Sequence, residues 1–448
     1  MTAFSLEPAQ LAWCAELRAL AAERLRPLAE KGEPGRVNRA LLAELGSLGL
    51  LGRLFTSGAL DLCLMRESLA YACTEAETAL ALQGLGAHPV HAHGTQAQRA
   101  RWLPRVADGS AVAAFALSEP GAGSDAAALG LRAERDGSPG VAFGGGSSGV
   151  ASGGATEGTR ATAGGSPGPG RVAHDSPHAA YDSPHDGHDS PHAAHDSPSP
   201  AELAAAPDGP SRWRLTGEKC WISNAPEADF YTVFARTTPG AGARGVTAFL
   251  VPADRPGLTG AGLDMLSPHP IGALDFDAVP VTADDVLGEV DRGFRVAMGT
   301  LNLFRPSVGA FAVGMARAAL DATLAHTAGR DAFGGKLRDL QAVSHQVAEM
   351  ALRTEAARLM VYAAATAYDE DAPDVPWRAA MAKLLATETA QYVVDKAVQL
   401  HGARALQRGH LLEHLYREVR APRIYEGASE VQRGIIAKEL YAAHQEVR

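Results

Sequence analysis

Phe115-Ala116-Leu117-Ser118-Glu119-Pro120-Gly121-Ala122-Gly123-Ser124-Asp125 is the stretch on which the reading of this chain turns. A short apolar run suited to a strand breaks there into a loop. Its glycines let backbone approach a ligand closely, and Ser118 and Ser124 offer hydroxyls. Such a loop can hold a pyrophosphate or a flavin ring, but Glu-Pro-Gly is also ordinary turn chemistry, so the loop alone leaves both readings open. On its N-terminal side the text is helical: Leu41, Leu42, Leu45, Leu48 and Leu51 recur at three- and four-residue spacing, punctuated by Gly46, Gly49 and Gly52. On its C-terminal side come short β-like runs, Tyr231-Thr232-Val233-Phe234 and Val246-Thr247-Ala248-Phe249-Leu250-Val251, separated by turn residues. From Phe294 onward helices return, with Val343, Val347, Met350, Ala357, Val361 and Ala364 at the spacing of a packed antiparallel bundle. The fold class predicted is α+β: an N-terminal all-α domain at 1–113, a middle β-barrel-like domain at 114–290 and a C-terminal four-helix bundle at 291–448.

One tract inside the middle region is of a different kind. Residues 138–210 hold 14 of the 48 glycines, 10 of the 27 prolines and 6 of the 16 histidines, with Phe143 and Tyr181 as the only aromatics. Asp-Ser-Pro recurs every seven residues from Asp175 through Asp182 and Asp189 to Asp196. That composition cannot bury enough apolar surface to offset chain entropy, so the tract is read as a disordered insertion.

The chain has 448 residues, enough for about three domains, and carries a net charge of −10 with a pI near 5.9. That balance leaves no basic stripe for a phosphate backbone, so nucleic acid is not expected as a partner. Cys14, Cys63, Cys73 and Cys220 show no paired spacing, which writes neither a disulfide framework nor a zinc knuckle. No uninterrupted apolar stretch of membrane-spanning length and no signal-like start is seen, and a cytoplasmic location is the expectation.

Three further segments carry chemistry. Gly217-Glu218-Lys219-Cys220-Trp221-Ile222-Ser223-Asn224 sets a Trp and a hydroxyl on a strand, where a Trp is usually core. Arg330, Phe333, Gly334 and Gln341 form a cationic, aromatic and amide set at a helix-loop-helix junction, able to bind phosphate and adenine. Arg423-Ile424-Tyr425-Glu426-Gly427-Ala428-Ser429 puts a carboxylate before a glycine, ahead of a helix that Ser429 and Gln432 can open as a capping box. A carboxylate held in an apolar pocket there would be a base with a raised pKa; in the bland reading it is a solvated loop acid.

These segments, in this order and between two helical regions, resemble the acyl-CoA dehydrogenase family over nearly the whole chain outside 138–210. The resemblance implies an FAD enzyme in which Glu426 takes a proton from the α-carbon of an acyl-CoA, or related thioester, while hydride leaves the β-carbon for the flavin. It implies that Phe115, Leu117, Ser118, Gly123, Ser124, Trp221 and Ser223 line the flavin and its pyrophosphate. Arg330, Phe333, Gln341, Gln399 and Gly402 would bind the adenine end, partly from a neighbouring subunit, which implies a homo-oligomer, tetramer or dimer. Ser124, Arg305 and Gly427 would lie at the substrate, Phe304 occupies the position of an alternative catalytic glutamate in some branches, and electron-transfer flavoprotein would be the acceptor. Departures from the family pattern are His401-Gly402-Ala403-Arg404 after Gln399, Ala428, Glu430, and a shortened loop between Leu54 and Leu60. The rival readings are an acyl-CoA oxidase that passes electrons to oxygen, and a non-catalytic scaffold whose His/Asp tract holds metal. No metal ligand set is assigned, since that tract lacks tetrahedral spacing.

Overall fold

The computed structural model describes residues 6–136 and 212–446, so the repeat tract lies outside the described residues. The N-terminal region is helical: α1 (Pro8–Leu20), α2 (Arg26–Ala29), α3 (Arg39–Ser47), α4 (Leu50–Arg53), α5 (Ala59–Ala72), α6 (Thr74–His93) and α7 (Gln96–Ala107). Local chemistry sets these starts. Asn38 caps α3 by accepting the Leu41 amide at 3.0 Å, and Thr95 and Gln98 close a reciprocal capping box on α7.

Eight strands follow: β1 (Ala113–Ala116), β2 (Arg132–Arg135), β3 (Arg212–Ser223), β4 (Phe230–Arg236), β5 (Val246–Pro252), β6 (Leu258–Gly262), β7 (Ile271–Thr282) and β8 (Val286–Leu287). They form one sheet in the order β6-β7-β3-β2-β4-β5-β8, with β1 parallel to β4. β4 and β5 are buried nearly end to end, as their mostly apolar runs require, with Thr232 and Thr247 buried among them, whereas β3 buries Trp213, Leu215, Lys219 and Ile222 between more exposed neighbours. β2 and β3 are antiparallel, with Arg135 opposite Trp213, and the Asp136 amide donates to the Arg212 carbonyl at 3.0 Å. The two ends that flank the undescribed tract are therefore adjacent hairpin positions.

The C-terminal region comprises α8 (Gly293–Gly329), α9 (Gln341–Asp369), α10 (Val375–His401), α11 (Leu411–Glu418) and α12 (Ser429–Glu446). The α, β, α order read from the sequence is thus the architecture observed. α8 is long and apolar enough to cross a membrane, yet 67% of its most apolar window is buried within the protein. Its small residues explain the close packing: a Cβ on Gly314 would collide with the Glu67 carbonyl of α5, and one on Gly309 would stand 2.7 Å from Val361 of α9. One core cluster joins Cys63, Leu64 and Ala70 of α5 to Phe311 and Val313 of α8 and to Val361 and Val393 of the bundle. Another joins Leu45, Leu69 and Leu80 to Val233, Phe249 and Leu274 of the sheet.

Candidate active site

The turn after α11 carries Tyr425-Glu426-Gly427, and both Glu426 (φ 51°) and Gly427 (φ 96°) are in the left-handed region. A non-glycine residue adopts that conformation only when its surroundings impose it. Here they do so through the carbonyls. Lys383 of α10 donates from Nζ to the Gly427 oxygen at 2.6 Å, Gln432 of α12 donates to the same oxygen at 3.0 Å, and Arg305 of α8 reaches the Glu426 oxygen at 3.3 Å. With its main-chain oxygen held from outside, the Glu426 side chain turns inward. Its Oε2 is shut off from solvent and meets no hydrogen-bond partner among the described residues. Burial pushes the Glu426 pKa up, against the pull of the Arg66, Lys383 and Arg305 charges. The same burial brings the Lys383 ammonium down to about 8.

The capping box anticipated at Ser429 is not formed. The Ser429 hydroxyl donates instead to Glu388 Oε1 at 2.6 Å, and the Gln432 side chain turns back to the carbonyls of the Glu426 turn. Glu388, also paired with Arg423 at 2.9 Å, is the stronger acceptor because it is ionised.

The Ser118–Asp125 loop is organised by a residue that its turn chemistry disguises. Glu119 is buried, and its carboxylate accepts from the amides of Gly130 (2.6 Å) and Leu131 (3.0 Å) and from Lys219 Nζ (2.7 Å). Lys219, fully buried on β3, also donates to the Leu117 carbonyl at 2.9 Å, and the Cys220 amide donates to the Ser118 carbonyl at 3.0 Å. Loop and strand are thereby laced together, leaving Gly121, Gly123 and Ser124 exposed, with open space where a Cβ on either glycine would stand. Trp221 is not core. A register shift of β3 against β7 between Lys219 and Ile222 puts Trp221 at φ 57° and turns it outward, 48% exposed, on the strand that ends at Ser223. Phe115 and Leu117 lie on and just after β1, with Leu117 buried and Phe115 against Phe234 at 4.9 Å between ring centres.

The third set sits at the far end of the bundle. The junction is helix-loop-helix, as read, and its loop closes as a two-residue hairpin between α8 and α9, with Ala332 opposite Gly335 and both Phe333 (φ 52°) and Gly334 (φ 82°) left-handed, which holds Phe333 91% exposed. Arg330 ends α8 and exposed Gln341 opens α9. Gln399 and Gly402 are exposed at the end of α10, brought beside α8 by the stacked rings of His326 and His401, 4.2 Å apart. Arg330 is 25 residues beyond Arg305 on one helix, about 37 Å at the α-helical rise, so a single chain does not bring this set to Glu426.

Three family models match in succession: the acyl-CoA dehydrogenase N-terminal domain at 7–110, middle domain at 191–279 and C-terminal domain at 291–441. The probable acyl-CoA dehydrogenase FadE25 of Mycobacterium tuberculosis is 30% identical over 435 residues, covering 95% of this chain and 93% of that protein. The chain belongs to the acyl-CoA dehydrogenase family. The mitochondrial short-chain specific acyl-CoA dehydrogenase of Bos taurus is 30% identical over 440 residues, covering 96% of this chain and 89% of that protein. Among solved structures, butyryl-CoA dehydrogenase from Megasphaera elsdenii superposes with a TM-score of 0.77 at 27% identity, covering 98% of this chain and 99% of that one. As an acyl-CoA dehydrogenase, the protein is an FAD-dependent oxidoreductase acting on CH–CH bonds. The residues present fit FAD: an outward Trp221, open glycines at 121 and 123 and an exposed Phe333 are surfaces an aromatic cofactor would cover.

Arg66, which pairs with buried Glu77, and Lys383 have no place in the sequence reading, while Glu119, Lys219 and Gln432 fall in its segments without the structural role they take here. A signal existed for some of them. Arg66-Glu67 interrupts Leu62-Cys63-Leu64-Met65 and Lys383 interrupts Ala379-Ala380-Met381-Ala382, and a charge inside an apolar helical run needs a partner.

Proposed function

We propose that this acyl-CoA dehydrogenase forms the α,β double bond of an acyl thioester with Glu426 as the base. The observation that carries the reading is the Glu426 carboxyl, enclosed, unpartnered at Oε2 and raised in pKa, on a turn that three side chains fix by its carbonyls. A solvated carboxylate near pKa 4.3 is too weak a base for a carbon acid, and enclosure strengthens it. The Glu426 carboxylate takes the α-proton, the C–H electron pair becomes the double bond, and hydride leaves the β-carbon. Bound FAD supplies the two-electron acceptor for that hydride. The Glu426 amide makes no hydrogen bond to a described residue, which leaves it available to polarise the thioester carbonyl as an oxyanion-hole donor does.

Phe115, Leu117, Ser118, Gly123, Ser124, Trp221 and Ser223 are assigned to the flavin and pyrophosphate, with Ser124, Arg305 and Gly427 at the substrate mouth. Arg330, Phe333, Gln341, Gln399 and Gly402 are assigned to the adenine end of FAD bound mainly by another subunit. The separation of about 37 Å along α8 supports that assignment, which makes the working form a homo-oligomer, tetramer or dimer. Electron-transfer flavoprotein as acceptor and a cytoplasmic location complete the proposal. The test is anaerobic addition of a panel of acyl-CoAs to FAD-loaded protein. Bleaching of the flavin band with appearance of the enoyl thioester is expected, and a flavin that no thioester bleaches would overturn the reading.

A further inference from the structure

One carboxylate of α10 holds both ends of the segment that carries Glu426. Glu388 accepts from Arg423 Nε at 3.0 Å and Nη2 at 2.9 Å, and from Ser429 Oγ at 2.6 Å, so the residues three before and three after Glu426 are bound to a single group. Lys383, five residues earlier on the same helix, reaches the Gly427 carbonyl between them. Burial pushes the Glu388 carboxyl up, but the Ser429 and Arg423 donors outweigh it and hold the group below its usual pKa, ionised at neutral pH.

Gln432 shows what this capture decides. Its side chain is fully buried, its Nε2 donates to the Gly427 and Glu426 carbonyls at 3.0 and 3.4 Å, and its Oε1 has no partner among the described residues. In a Ser429–Gln432 capping box that same Oε1 would accept the Ser429 amide, and the Ser429 hydroxyl would accept the Gln432 amide. A buried amide oxygen without a donor is unfavourable, so the observed arrangement stands against a local alternative that would satisfy it. Glu388 tips the balance. A hydroxyl that donates to an ionised carboxylate at 2.6 Å is turned away from the Gln432 amide, which bonds instead to the Ala428 carbonyl at 3.0 Å.

We propose that Glu388 is a positioning residue for the reaction: by capturing the Ser429 hydroxyl and the Arg423 guanidinium it blocks the capping box, keeps Gln432 on the carbonyls of the Glu426 turn, and so fixes where the Glu426 carboxyl stands. The inference rests on Glu426 being the base. Glu388 acts through the turn and not on the thioester. Without it the box closes, Gln432 leaves the turn, and Lys383 and Arg305 are left to hold the two carbonyls.

The experiment measures anaerobic flavin bleaching on FAD-loaded protein at saturating concentration of whichever acyl-CoA of the panel bleaches the wild type fastest. Glu388→Ala should slow bleaching by about 100-fold, the cost of a base displaced by roughly 1 Å, with FAD content and the Kd of the enoyl-CoA product unchanged. Adding Ser429→Ala to that variant removes the hydroxyl the capping box needs. Gln432 then returns to the turn, and the double variant should bleach about fivefold faster than Glu388→Ala, the contribution of one helix cap. A residue that merely stabilised the bundle would give no such rescue. Should Glu388→Ala fail to fold, Glu388→Gln, which sets a neutral amide against Ser429 and Arg423, must itself slow bleaching, and Ser429→Ala in that background must speed it again. An unchanged rate in the single variant, or a double variant no faster than the single, overturns the inference and leaves Glu426 as base untouched. If no thioester bleaches the flavin, Glu426 as base fails; amide deuterium exchange over residues 424–428, expected to rise in Glu388→Ala and to fall back in the double variant, then decides alone whether Glu388 governs the turn.

Discussion

Lys383 Nζ donates to the Gly427 carbonyl oxygen at 2.6 Å, tying the middle of a buried bundle helix to the turn that carries Glu426. The lysine both shapes the turn and lends it charge. At neutral pH Lys383 is cationic and, with Arg66 and Arg305, opposes the upward push of burial on Glu426. In Lys383→Met that support is gone and the Glu426 pKa rises further. The rising limb of bleaching rate against pH is therefore expected to move to higher pH, with the loss of rate falling on the acid side of the profile. Because Lys383 itself loses its proton near pH 8, the two proteins should differ less above that pH. Superimposable pH profiles would remove Lys383 from any electrostatic role.

Glu426→Gln removes the proton acceptor and keeps the shape. FAD content and the thermal midpoint should match the wild type, while bleaching by the best thioester falls by roughly three orders of magnitude, the scale of a lost general base. Stopped-flow reduction traces decide this, and a near-normal rate would require a different base.

Gly427→Ala tests the turn. At φ 96° a Cβ is strained, and it would point into the Gln432 amide that holds the carbonyl. A destabilisation of about 1–3 kcal/mol, read from the thermal midpoint, should accompany loss of bleaching with FAD retained.

Glu119→Gln keeps an acceptor but removes the charge opposite the fully buried Lys219 ammonium. Leaving a buried charge uncompensated costs about 3–5 kcal/mol, and the loop from Leu117 to Leu131 should loosen with it. We expect a lowered melting temperature and a fall in FAD retained through gel filtration; retention equal to wild type would separate this pair from the cofactor site.

Replacing residues 138–210 with a short Gly-Ser turn should leave flavin content, melting temperature and turnover nearly unchanged. The flanking residues Asp136 and Arg212 are already hydrogen-bonded neighbours. Loop-closure cost changes by only about 0.6 kcal/mol per doubling of length, so a shorter connection asks nothing new of the sheet. Loss of FAD on deletion would show that the tract contributes to the site.

The α, β, α fold was legible because pattern survives in the text: the leucines of α3 and the apolar stripe of α9 are spaced for a helix, and β4 and β5 are short runs of β-branched and aromatic residues. Site geometry was legible only where a residue announces its conformation. Gly427 did so; Trp221 did not, because its outward turn comes from a register shift that two paired strands create together. Phe333 does lie in the loop between two helices, as read, but the tight hairpin that exposes it was not legible, since Phe-Gly is an uncommon pair for such a turn. The Arg66–Glu77 and Glu119–Lys219 pairs were hidden by distance along the chain, 11 and 100 residues, with nothing in either half naming the other.

Helix α8 has a practical consequence for anyone cutting this gene. Its Gly314 face lies on α5 and its Gly309 face on α9, so one rod serves as inner wall to both helical regions. The family boundaries near residues 110 and 290 are therefore seams of resemblance rather than lines of cleavage. A fragment ending before Gly293 would expose the greasy flank of α5, and one starting there would expose α8, so each piece made alone should be recovered as aggregate. Co-expression of the two halves is the way to obtain them soluble.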